Sequence, residues 1–287
     1  MRKGVLLACA AAVLAGCGAF DRAAVRSEAR VLERGRAATL DEPDYELARE
    51  ASPAQLKLLE TLIVSAPRDR RLRRLAAEGF GGAAFLFVEP TAPERAKGLY
   101  LRGRDEALSA LALKPKFRGL DGDSLDAFRA AVAKAAKDDV PDLFWAAFDW
   151  AGWVNLSKDD AAALADLPKV EVLMARVRAL DPGYHFDGAD LFFGIDEASR
   201  PPLLGGDPAK AKADFDRARA ATGDKYLMAL VLEARWYAVA AQDKDLFVRL
   251  LKEVESAPAG RLPEARLTDE AAKRRAAALL EKTDDYF

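Results

Sequence analysis

Periodicity constrains this chain more than any motif. After Thr39 every long segment repeats its apolar residues with a period near 3.6, and none alternates over the length of a strand. Proline cuts the pattern into pieces: Pro53, Pro93 and Pro141 stand where helices should open, Pro67 and Pro115 where they should close. Alanine is abundant while Val, Ile and Thr are sparse, which favours helix over sheet. The reading is an all-α domain over 39–287 of about ten to eleven helices. Its first helix is expected to start at Pro53, with Ser52 as N-cap.

Many short helices joined by short loops form either a bundle or a stack of hairpins, so internal repeats decide between them. Val170, Met174 and Val177 before Pro182 keep the small–bulky–small spacing of a tetratricopeptide helix. Ala211, Phe215 and Ala218 keep it again, and so do Ala96, Tyr100 and Gly103. Small residues let helices approach and the bulky one fills the groove between hairpins. Three such matches predict cryptic tetratricopeptide-like hairpin repeats in a compact superhelical stack. One connection is irregular. Gly188 and Ala211 lie 23 residues apart, about eleven more than a repeat of about 34 residues allows. The surplus is centred on SRPPLLGG (199–206), where Pro201 and Pro202 stiffen the entry and Asp207-Pro208 restarts a helix.

The N-terminus speaks to location. Arg2 and Lys3 precede an apolar run, Val5 to Leu14, which is too short to span a bilayer and the usual size for a secretory signal. It ends in Leu14-Ala15-Gly16-Cys17, which resembles the bacterial lipobox. Residues 1–16 are therefore expected to be removed as a lipoprotein signal peptide. Cys17 would be lipidated, and 17–38 would act as a polar, flexible leash. Gly18 rather than Asp after the cysteine favours the periplasmic face of the outer membrane. Cys9 would leave with the signal, so no thiol or disulfide chemistry remains. The chain has 44 basic and 46 acidic residues, a net charge of −2. Without a basic excess, nucleic acid is excluded as a partner.

Several further stretches together resemble one family, the T component associated with tripartite ATP-independent periplasmic (TRAP) transporters. They are FWAAFDWAGWVNLS (144–157), LADLPKVEVLMARVRALDPGY (164–184), SRPPLLGGDPAKAKADFDRA (199–218), LEARWYAVAAQDKDLFVRLLKEV (232–254) and ARLTDEAAKRRAAALLEKTDDYF (265–287). The resemblance implies an all-helical protomer with an apolar cleft or pore. It also implies trimers that dock the transporter's solute-binding P component. The expected function is a non-enzymatic accessory protein that binds or relays a small apolar or amphipathic solute. The alternative is a tetratricopeptide scaffold lipoprotein in envelope assembly, with filled clefts and no ligand. An apolar cavity beside 144–156 and 199–206 would favour the first, and a solid core there the second.

Motif chemistry is sparse. LLGGDPAK and GFGG (79–82) match no phosphate loop and follow no strand, so no cofactor is expected. The single histidine, His185, leaves no catalytic triad. With Asp181, Asp187 and Asp190 it would at best form a weak metal site, and these acids read better as solvated first-turn positions. The aromatic helix carries two readings. One is an ordinary core helix buried on several sides. The other has Trp145, Phe148 and Trp153 lining a ligand cleft, with Asp149 or Asn155 as its polar handle. Trp236 and Tyr237 would reach the same cleft, with Tyr184 and Arg200 beside it and Leu203 and Leu204 at its rim. A buried Asp149 requires a partner, expected to be Arg176, Arg200 or Arg235.

Overall fold

Aspartates set where these helices begin. The computed structural model of the chain describes residues 23–287 apart from position 123. In chain order the helices are α1 (23–40), α2 (Tyr45–Ser65), α3 (Arg70–Ala83), α4 (Pro93–Ala112), α5 (Leu125–Val132) and α6 (Val140–Leu156). There follow α7 (Ala161–Leu180), α8 (Tyr184–Ser199), α9 (Pro208–Thr222), α10 (Leu227–Leu232), α11 (Lys244–Ser256), α12 (Arg266–Glu281) and α13 (Thr283–Tyr286). Asp44, Asp69, Asp160, Asp207 and Asp243 cap α2, α3, α7, α9 and α11, each carboxylate accepting from backbone N–H groups of the first turn. The described residues hold thirteen helices and no strand.

Two boundaries differ from expectation. Helix α2 starts eight residues before Pro53, because Asp44 accepts from the N–H groups of Glu46 and Leu47 and so nucleates it earlier. Pro53 lies inside the helix, where it forfeits one backbone hydrogen bond. The face formed by Leu56, Leu59, Leu62 and Ile63 is buried and keeps the helix together across it. Part of the predicted leash is also ordered: residues 23–40 form α1. Val25, Ala29 and Leu32 make a narrow apolar stripe that packs with α2 and α3, and Glu33 pairs with Arg71 at 2.7 Å. The many charges around that stripe masked it. The signal segment 1–16, Cys17 and the first residues of the leash lie outside the described residues.

Neighbouring helices pack as successive hairpins, α3 on α4, α4 on α6, α6 on α7 and α8 on α9. The residues of the three tetratricopeptide-like patterns are all buried between them. One contact explains why α8 carries glycine at 188: a Cβ there would sit 2.6 Å from the Phe144 ring of α6. The stack then curls until its last long helix meets its first hairpin. Arg266 pairs with Asp41 at 3.0 Å, and the Arg274 guanidinium lies 4.3 Å from the centre of the Tyr45 ring. Four apolar clusters result: one on α1–α3, one around Tyr100, one on α4–α8, and one on the C-terminal helices. They do not merge into a solid core.

Candidate functional site

Between the clusters lies a cavity of about 590 Å³, within the usual range for small-molecule sites. The aromatic helix α6 supplies Phe144, Trp145, Phe148 and Asn155 to its wall. Leucines of α2, Tyr100 of α4, Phe192 and Ile195 of α8, and Leu267 of α12 complete much of the rest. Arg200, Pro201 and Leu204 of the 199–206 loop also line the cavity.

Two irregular helical segments open the space. Helix α3 continues into a π-helical turn over Ala84–Val88, and α10 continues into another over Glu233–Ala238. The wider turn shifts the register, so Phe85, Leu86 and Phe87 all line the cavity, as does Trp236 from the second turn. Such turns inside α-helices concentrate at functional sites. Helix α8 starts irregularly too, with His185, Phe186 and Asp187 in left-handed conformation at φ of 50°, 59° and 60°. Three consecutive non-glycine residues in this region are costly, and surrounding structure must hold them there. That structure is aromatic. His185 lies 5.0 Å from the Phe144 ring and 4.9 Å from the Trp145 ring, and Phe186 stacks on Tyr226 at 4.3 Å.

Electrostatics in this apolar space favour neutral forms. Burial, and secondarily Arg36, pushes the His185 pKa down to about 3, so the imidazole is neutral. Burial pushes Asp196 up to about 6, although Arg200 contacts it at 2.5 Å, and outside the cavity it pushes Tyr184 up to about 12. In the wall, Glu78 pairs with Arg36, and the Tyr100 hydroxyl donates to Glu89. The indole N–H of Trp145 is buried without a hydrogen-bond acceptor.

The predicted cleft residues divide. Trp145, Phe148, Asn155, Arg200, Leu204 and Trp236 line the cavity. Trp153, Tyr184 and Tyr237 do not; Trp153 and Tyr184 pack against the α4–α8 cluster and Tyr237 against the C-terminal one. Leu203 is corrected outright: it is 98% exposed and packs against nothing at the rim. It sits in the short 3₁₀ turn Pro202–Leu204, and with Gly205 left-handed at φ 89° the turn points its side chain outward.

Asp149 is corrected as well. It is fully buried but outside the cavity, wedged between Gly81 of α3 and Gly103 of α4. None of the three expected arginines reaches it. Arg176 donates to the Ala135 carbonyl, Arg200 pairs with Asp196 and Glu171, and Arg235 stacks on Trp236 and Tyr286. A slot bounded by two glycines is too narrow for a guanidinium. Both carboxylate oxygens lack partners, and burial pushes the pKa well above the carboxylate range, favouring the neutral acid. Asp187 and Asp190 are likewise buried rather than solvated. Asp190 pairs with Arg178 at 2.5 Å, and burial with that neighbouring acid raises Asp187 to about 7.

Sequence reasoning missed Phe85, Leu86 and Phe87. Their signal was present in AAFLFV (83–88), an apolar run too long for one face of a regular helix. It also set aside His185 and overlooked Lys158 and Arg275, all of which line the cavity.

Fold and site together define an all-α hairpin protein built around an apolar internal chamber. The family is more specific: the sequence profile of the TRAP transporter T-component matches residues 41–287, and the chain belongs to that family. Its members are accessory proteins of transport. No curated protein matches the chain.

Proposed function

We propose that this T component holds a small apolar or amphipathic solute in its cavity. It would pass that solute to, or receive it from, the solute-binding P component of a TRAP transporter. The observation that carries the reading is the cavity itself. About 590 Å³ remains open where aromatic side chains of α6, α3 and the α10 extension would otherwise close a core. A scaffold has no need of that space, and leaving it empty forfeits packing energy. The docking surface is proposed to include the exposed apolar loop 201–206, and the assembly to be a trimer. The chain is further proposed to be tethered through lipidated Cys17 to the periplasmic face of the outer membrane. No helix among the described residues is long and apolar enough to cross a membrane.

The test is affinity capture of the full chain from envelope extracts, with mass spectrometry of both proteins and small molecules. The expected result is a solute-binding protein together with an apolar or amphipathic compound. Recovery of neither would overturn the proposal. Metabolic labelling with a fatty acid, abolished by Cys17→Ser, checks the anchor.

A further inference from the structure

The cations near the cavity are not equally satisfied. Arg36 is neutralised by Glu78, and Arg200 by Asp196 and Glu171, while Arg275 makes no ion pair among the described residues but stacks on the Phe85 ring and donates to the Phe85 carbonyl. Lys158 lines the cavity just past the end of α6, yet it makes no salt bridge among the described residues, and the one charge felt there is that of Arg235. Its ammonium instead stands 4.7 Å from the centre of the Trp236 ring, itself part of the wall. Arg235, outside the cavity wall, shares that ring at 5.0 Å; among the described residues it makes no ion pair, and its other neighbour is Tyr286 at 4.8 Å.

Two like charges thus converge on one indole in a chain where acids outnumber bases. The arrangement is unfavourable for the empty protein. Partial burial, and then repulsion from Arg235, pull the Lys158 pKa down. A group that supplied one negative charge here would relieve the repulsion and give Lys158 the partner it lacks. The surroundings say what else the ligand carries. Leu232, Met228, Leu191 and Phe148 of the same wall offer contact to hydrocarbon. Asn155, one turn before Lys158 and also in the wall, can add an amide donor.

We propose that Lys158, held on Trp236 with Arg235 adding positive charge from outside the wall, forms the head-group subsite for an amphiphile with a single anionic group, whose apolar chain fills the aromatic cavity. This rests on the reading of the cavity as a solute site and specifies the solute's class. The cation–π contacts hold the two side chains over the ring until the anion arrives.

The experiment uses the full chain and three probes of equal chain length: dodecanoate, dodecanol and dodecylamine, each below its aggregation threshold. Binding is followed by tryptophan fluorescence and by calorimetry. Dodecanoate should bind about tenfold more tightly than dodecanol, the worth of one partly desolvated ion pair, and dodecylamine most weakly. Lys158→Ala should remove the preference for dodecanoate and leave dodecanol unchanged, while Lys158→Arg keeps it. Lys158 is exposed enough for these variants to fold, which thermal melting verifies. Equal binding of dodecanoate and dodecanol would overturn the subsite and leave the cavity reading standing. So would Lys158→Ala weakening both probes alike. Failure of all three to bind would overturn the cavity reading and the subsite together.

Discussion

Asp149 and Gly103 occupy one another's space. A methyl group on the Gly103 Cα would sit 2.3 Å from the Asp149 Oδ2, and one on Gly81 only 2.1 Å from Oδ1. The α3–α4–α6 contact is therefore set by a carboxyl group inserted between two glycines. Gly103→Ala should destabilise the fold by about 1–3 kcal/mol, the usual cost of overpacking. In an Asp149→Ala background the same change should cost under about 1 kcal/mol, because its collision partner is gone. Urea denaturation of the four proteins checks this, and additive effects would mean that the helices separate instead.

The same carboxyl makes stability depend on pH. Its pKa is raised in the folded state, so the folded protein holds a proton that the unfolded chain releases near 3.8. Over that window the folded state binds more protons, and stability is lost as pH rises from about 4 towards the folded pKa. The slope contributed is at most about 1.4 kcal/mol per pH unit. Asp149→Asn, which cannot ionise, should gain on wild type as pH rises above about 5, until the folded pKa is passed. Denaturant melts across that range would reveal a constant difference if Asp149 were ionised in the fold.

Much of this was legible in the sequence, and the rest was not for definite reasons. The hairpin contacts could be read because buried small and bulky residues, such as Ala211, Phe215 and Ala218, recur at helical spacing. The start of α2 was misplaced because proline is a strong local signal, while the advantage of Asp44 depends on two backbone contacts. Of the site, the aromatic wall of α6 was visible as composition. Phe85 and Trp236 share the cavity with it only because two π-turns rotate them inward, and that register shift has no spacing to read. The fate of Asp149 was hidden for a similar reason: glycines 46 and 68 positions earlier form its slot.

The exposed loop yields a separable prediction. Leu203 is 98% and Leu204 71% exposed, so Leu203→Ser with Leu204→Ser should change stability by no more than about 0.5 kcal/mol. Capture of the P component by the full chain should fall several-fold, since a patch of two leucines on a stiffened turn is what a partner's apolar surface would cover. Unchanged capture with unchanged melting would make the loop a bare connection. A lower melting temperature would make it structural.

Arg275 adds a third contact to the closure of the stack. Its guanidinium lies 4.0 Å from the centre of the Phe85 ring and donates to the Phe85 backbone carbonyl, joining α12 to the π-turn of α3. A π-turn leaves carbonyls poorly paired within its own helix, so an external donor can hold its shape. Arg275→Met keeps the length and apolar contact but removes the donor and the charge. The expected cost is about 1.5–3 kcal/mol, that of a hydrogen bond from a charged group. Hydrogen exchange gives the sharper readout: residues 84–88 and 266–281 should lose protection together, while the α8–α9 hairpin keeps its own. Uniform loss across the chain would mean that Arg275 supports the global fold and not this joint. Loss in 266–281 alone would place the π-turn under local control.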